Sequence, residues 1–278
     1  MKDNSKNLKN IYYDVGLQDP TFLFMHGWLE DRTFWTPVIN LLSKQHRCIN
    51  LDLVQVATEG TESSHDPDSL AKSIEIFIDE IINRPVILVG HDLGGILALI
   101  ANARSPENIL GLVLIDPPLD GATNGAMTLL AKQIIDTELK DVVQPLFARW
   151  FLDSTPLWIQ EKVKSSLSIY DQNVASEQFS KSEFLQEQMG RLIVEADKKP
   201  FMIIWPDNPS GNPEKLREIT QFLRQEPVAN TGHFLQLEKP AIVASLLRAF
   251  VDEIDRDPRI ANLKDRLQGM DNASDSTN

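Results

Sequence analysis

The chain has 278 residues, 42% of them hydrophobic and 24% charged, enough for one large α/β domain with an insertion. Its formal net charge of −13 works against a nucleic-acid partner, whose phosphates it repels, and a single cysteine, Cys48, excludes an intramolecular disulfide. No apolar run approaches the length of a membrane span, and the start MKDNSKNLKN lacks the apolar stretch of a secretory signal, so a cytoplasmic protein with no membrane attachment is expected.

In chain order, a polar start leads to a short strand near Asn10 to Val15. TFLFM (Thr21 to Met25) is an apolar strand ending at His26-Gly27-Trp28, and RCINLDL (Arg47 to Leu53) is a second. Leu70, Ile74, Phe77, Ile78, Ile81 and Ile82 recur at helical spacing and predict an amphipathic helix. Strands then follow at Val86 to Val89 and Leu110 to Ile115, with a helix between them through about Ala103. Strands that are apolar on both faces and alternate with helices predict a mainly parallel sheet covered by helices on both sides. From about Leu119 to Lys198 no strand pattern stands out, only helical segments such as Met127 to Ile135 and Leu157 to Leu167, so 119–198 reads as an inserted helical cap. The alternation resumes with a strand at Phe201 to Trp205, a helix from Pro213 to Arg224, a short strand near Val228 and a closing helix from Pro240 to Ile254. The α/β core is therefore expected over 1–118 and 199–256, with a tail over 257–278 that is disordered beyond Leu267.

The centre of the chemistry is VILVGHDLGG, Val86 to Gly95. Gly90-x-Asp92-x-Gly94 is the strand-turn-helix spacing that presents a nucleophile at a sharp apex, with a carboxylate where a serine is usual. A carboxylate suits displacement at an sp³ carbon, which gives an alkyl ester that water can cleave. Attack on an ester carbonyl would give an anhydride instead, which disfavours ordinary esterase chemistry. The competing reading makes Asp92 a helix N-terminal residue held by free N–H groups. Asp116 after the Leu110–Ile115 strand and Gly232-His233 near the C-terminal helix complete the set. His26 reads as a turn-stabilising residue and His91 as packing, with a cavity role open for both. Trp150 and Trp158 read as insertion core, one of them with an indole N–H free to face a cavity. No metal-ligand spacing and no dinucleotide fingerprint occur, so neither metal nor cofactor is expected.

His26-Gly27-Trp28, the Asp92 turn, Asp116 and His233, in that order at strand ends, resemble the α/β-hydrolase superfamily from about Phe22 to Val251. The resemblance implies Asp92 as nucleophile, His233 as base, and the Trp28 and Leu93 backbone N–H groups as oxyanion-hole donors. The family's usual acid position, after the Phe201–Trp205 strand, falls at Pro209, so the orienting acid is assigned to Asp116, with Asp207 in reserve. An elbow Asp is similar to haloalkane and haloacetate dehalogenases and to epoxide hydrolases, which work through an alkyl-enzyme ester. Leu93 stands where haloalkane dehalogenases carry a Trp, GHDLGGI has no arginine for a haloacetate, and Tyr170 is the one tyrosine of the insertion where epoxide hydrolases use two. The implied substrate is small and largely apolar. Gly27-Trp28, LFARWFLD and WPDNPSGNP also resemble the cofactor-independent dioxygenases that cleave 3-hydroxy-4-quinolones, in which His deprotonates the substrate for attack by dioxygen.

Overall fold

A computed structural model describes residues 11–59, 64–119, 132–180 and 182–275. Its centre is a seven-stranded sheet: β1 (Tyr12–Val15), β2 (Thr21–Met25), β3 (Cys48–Leu51), β4 (Val86–His91), β5 (Ile109–Ile115), β6 (Phe201–Trp205) and β7 (Arg224–Pro227). The spatial order is β1-β3-β2-β4-β5-β6-β7. Every pairing is parallel except β1 against β3. The five apolar runs of the sequence are β2, β3, β4, β5 and β6, every residue of which is buried.

Side chains alternate between the two faces, as strand geometry requires. Leu23, Met25, Val86, Leu88, Leu112 and Leu114 enter one core, with helices Pro67–Ile76, Leu93–Arg104 and Ser182–Ala196. Phe22, Phe24, Ile87, Val89, Val113 and Ile115 enter the other, under helices Thr36–Leu42 and Pro240–Arg256. Full burial of each such aliphatic side chain contributes about 1.5–3 kcal/mol, so the sheet is the rigid frame on which the site rests. The chain runs outward from β2 to β3 in one direction and from β4 to β5 in the other. The loops that leave β2 and β4 therefore diverge and open a crevice at their carboxyl ends, the place where open α/β sheets bind ligands.

Between β5 and β6 the described residues form helices Leu139–Trp150, Leu157–Ile169, Gln172–Glu177 and Ser182–Ala196, with no strand. The expected helix at Met127 to Ile135 lies largely outside the described residues, and 132–136 are helical. The last of these helices is part of the main core rather than a separate lid, because Leu192, Ile193 and Ala196 pack with the helix that follows β4.

Three boundaries differ from the sequence reading. The expected amphipathic helix is α-helical over Pro67–Ile76 and closes in a π-helical turn over Phe77–Ile82. The helix from Pro213 stops at Ile219, and Arg224 starts β7 instead of ending the helix. The expected tail is helical over Ala261–Asp275. Leu263 and Leu267 pack against the second core, and Lys264 Nζ donates to the carbonyls of Ile254, Asp255 and Asp257, so the start of this helix is anchored.

Candidate functional site

Asp92 occupies the first position after β4 with φ 48° and ψ −115°, a conformation that L-residues rarely adopt. Two glycines make the turn sterically feasible. A Cβ at Gly90 would lie 2.2 Å from the Gly94 carbonyl oxygen, and one at Gly94 would lie 2.4 Å from the Met25 carbonyl oxygen. Asp92 does not cap its own helix. Its Oδ2 accepts instead from the Trp28 N–H, at 3.0 Å across the crevice from the loop after β2. Leu93 is the first residue of the helix and is buried.

His233 reaches the same crevice from the loop after β7. Its Nδ1 lies 2.5 Å from Asp116 Oδ2. Asp116 is fully buried just beyond β5 and has a positive φ of 41°. Its carboxylate is held by Ser210, whose N–H donates to Oδ1 at 2.7 Å and whose hydroxyl donates to Oδ2 at 2.9 Å. The reserve acid lies elsewhere: Asp207 is exposed, and its Oδ2 accepts from the Asn230 N–H. Ser210 went unread in the sequence. The signal available was its place in the turn after β6, directly across from the end of β5. Arg149 from the cap binds that turn through the carbonyls of Pro209 and Ser210.

The remaining candidates separate into three groups. Trp150 stacks on the His233 ring at 5.4 Å and 14°, and its carbonyl accepts the His233 N–H at 2.9 Å. Trp158 is 51% exposed, because Ile159 and Val163 take the buried face of that helix and turn the neighbouring position outward. Tyr170 belongs to the cap, where its hydroxyl donates to Gln178 Oε1 at 3.0 Å and burial pushes its pKa far above the ordinary tyrosine range. Trp28 is tied to the cap through its indole N–H, which donates to the Ala175 carbonyl, and through an edge-on contact with Phe179.

His26 and His91 are fully buried struts. His26 sits between two backbone groups, donating from Nδ1 to the Gly27 carbonyl and accepting at Nε2 from the Leu53 N–H. His91 donates from Nε2 to the His233 carbonyl at 2.9 Å, and its Nδ1 lies 2.7 Å from Glu30 Oε1 in an ion pair. Burial pulls the His91 pKa down, but the Glu30 carboxylate outweighs it and pushes the value up to about 9. Burial likewise opposes the charge on Glu30, and the His91 cation outweighs it and holds Glu30 below the ordinary carboxylate range. Glu30 is the second residue that sequence reading missed. Three places after Gly27 in a loop, nothing in its spacing marked it.

Among the described residues no group of three or more His, Cys, Asp or Glu is arranged to hold a metal ion, and no helix is long and apolar enough to cross a membrane.

Comparison with known proteins agrees with this geometry at the level of the fold. The family described as the α/β hydrolase fold matches residues 20–240. A haloalkane dehalogenase of Mesorhizobium japonicum is 32% identical over 111 residues, which is 38% of this chain and 34% of that protein. Epoxide hydrolase 4 of Mus musculus is 20% identical over 85% of this chain and 74% of its own length. Monoacylglycerol lipase ABHD6 of Rattus norvegicus is 25% identical over 84% and 76%. Among solved structures, an esterase from Thermogutta terrifontis superposes with a TM-score of 0.74 at 17% identity, covering 87% of this chain and 93% of that one. An enzyme that cleaves the ring of the Pseudomonas quinolone signal superposes with a TM-score of 0.72 at 15% identity, covering 87% and 95%. With the family matched over most of its length and the sheet order in place, the chain belongs to the α/β-hydrolase fold family.

Proposed function

We propose that the protein is a hydrolase that opens a carbon–halogen bond or an epoxide ring through an ester on Asp92. The observation that carries this reading is the hydrogen bond from the Trp28 N–H to Asp92 Oδ2. In an acyl hydrolase that donor waits for the oxygen of the substrate carbonyl. Here the elbow residue's own second oxygen fills it, which leaves the first oxygen to attack carbon. Attack at an sp³ carbon forms the C–O bond of an alkyl ester as halide leaves or the epoxide C–O bond breaks.

The second half of the reaction suits the same donors. His233, held through Nδ1 by Asp116, takes a proton from water at Nε2 while the water oxygen attacks Asp92 Cγ. Oδ2 then becomes the oxyanion, already facing the Trp28 N–H, with the N–H of Leu93 at the helix start as second donor. Collapse releases the alcohol with the former carboxylate oxygen and leaves the water oxygen in Asp92. The aromatic side chains gathered around His233 and Trp28, namely Trp150, Phe234 and Phe179, favour a small, largely apolar substrate. The low-identity matches to a haloalkane dehalogenase and an epoxide hydrolase agree with the reading.

The test is turnover of a primary bromoalkane and an aryl epoxide in ¹⁸O-labelled water, followed by mass spectrometry of the peptide that holds Asp92. Label in Asp92, and a stable alkyl adduct there in His233→Gln, are expected. Oxygen consumption with a 3-hydroxy-4-quinolone, and no label in Asp92 with either of the other substrates, would replace this reading with the dioxygenase one. That alternative has to place the charge of Asp92 beside an anionic substrate.

A further inference from the structure

A buried carboxylate and a buried imidazole lie behind the site, and neither has a part in the mechanism above. Glu30 and His91 have side chains 2% and 0% exposed. Glu30 Oε2 accepts the Gly27 N–H at 2.7 Å, one residue before the N–H that binds Asp92. His91 precedes Asp92 in the chain and holds the His233 carbonyl. The two side chains thus touch the oxyanion loop, the elbow and the loop of the base. A Cβ on Gly27 would meet all of this at once, at 2.9 Å from His91 Nδ1, 3.1 Å from Glu30 Cδ and 3.1 Å from Asp92 Cβ.

The charge state follows from the partners. A carbonyl accepts, so His91 Nε2 carries a proton. A lone pair on Nδ1 facing a carboxylate oxygen at 2.7 Å would be repelled, so Nδ1 carries one too. Among the described residues, Glu30 Oε1 and His91 Nδ1 have no partner other than each other, so each charge is compensated by the other. The other titratable groups near His91 are Asp92, its chain neighbour, and His233, whose ring lies 4.5 Å from it.

We propose that Glu30 and His91 are a permanently charged positioning pair, in which imidazolium His91 fixes the His233 loop and Glu30 fixes the Gly27–Trp28 turn. Both effects fall on hydrolysis of the ester. That step needs both His233 in reach of water and the Trp28 N–H on the growing oxyanion, whereas attack by Asp92 uses the Trp28 N–H alone and builds no new charge on Oδ2. This assignment of the step rests on the hydrolase reading above. The charge state of His91 does not.

Two measurements test it. In protein labelled with ¹⁵N-histidine, one imidazole should show both ring nitrogens protonated and unchanged between pH 6 and 8, and His91→Gln should remove that signal. In single turnover with a primary bromoalkane, Glu30→Gln should slow ester hydrolysis about ten- to a hundredfold, as misplacing a reacting group does, and slow ester formation by a smaller factor. A neutral His91 in the wild type overturns the proposal without any variant. So does a folded Glu30→Gln that hydrolyses the ester at the wild-type rate. If the wild type forms no ester with bromoalkane or epoxide, the hydrolase reading falls, while the resting-state spectrum still decides the pair.

Discussion

Replacing Asp116 by Asn separates the acid from its surroundings with almost no change of shape. The wild-type carboxylate accepts three hydrogen bonds: from Ser210 N–H on Oδ1, and from Ser210 Oγ and His233 Nδ1 on Oδ2. The backbone N–H of Ser210 cannot reverse its polarity, so the Asn oxygen must stay there and the amide nitrogen must face His233. An NH₂ group facing Nδ1 forces that nitrogen to accept and moves the imidazole proton to Nε2, the position that has to take a proton from water. In triad enzymes the same wrong-tautomer substitution costs about four orders of magnitude, equivalent to about 5.5 kcal/mol in the barrier. Asp207→Asn, in contrast, touches an exposed carboxylate whose contact is the Asn230 N–H, and it should change turnover less than about threefold, as surface substitutions do. The assay is single-turnover ester hydrolysis followed by mass spectrometry, with the His233 tautomer read by ¹⁵N NMR in parallel. A loss of less than tenfold in Asp116→Asn, or a larger loss in Asp207→Asn, would refute the reasoning.

The parts of this molecule that could be read in advance are those encoded by a local pattern. β2, β4, β5 and β6 are continuous apolar runs because they are buried on both faces, and such runs need no knowledge of their neighbours. The Asp92 turn is legible because a strained apex admits glycine alone at its flanks. The pairing of Asp116 with His233 was legible because Pro209 occupies the competing slot. Ser210 and Glu30 were not legible, since each acts across the fold: Ser210 on a carboxylate 94 positions away, and Glu30 on the histidine that ends β4. Polar residues in loops look alike in sequence until topology sets them side by side. The start of the helix Ala261–Asp275 is anchored by two leucines and one lysine, contacts that composition does not report.

Two further outcomes test the frame. Gly90→Ala places a methyl 2.2 Å from a backbone oxygen and should destabilise by more than about 3 kcal/mol or prevent folding. Gly190→Ala, in helix Ser182–Ala196 with open space around it, should raise stability by about 0.5–1 kcal/mol in urea melts, and a loss there would mean that this helix packs differently. The last concerns pH. The folded pKa of His91, raised to about 9 mainly by Glu30 against the pull of burial, exceeds the unfolded value of about 6.5. The folded state therefore binds its proton more tightly than the unfolded chain does. The resulting stabilisation is complete below about pH 6.5, declines between there and pH 9, and is absent above. The difference in unfolding free energy between wild type and the Glu30→Gln/His91→Gln double variant should fall across that interval, because the variant carries no titrating group at either position. A difference that stays flat from pH 6 to 9.5, or that grows with pH, would mean that His91 folds as a neutral ring, with Glu30 then buried without a counter-charge.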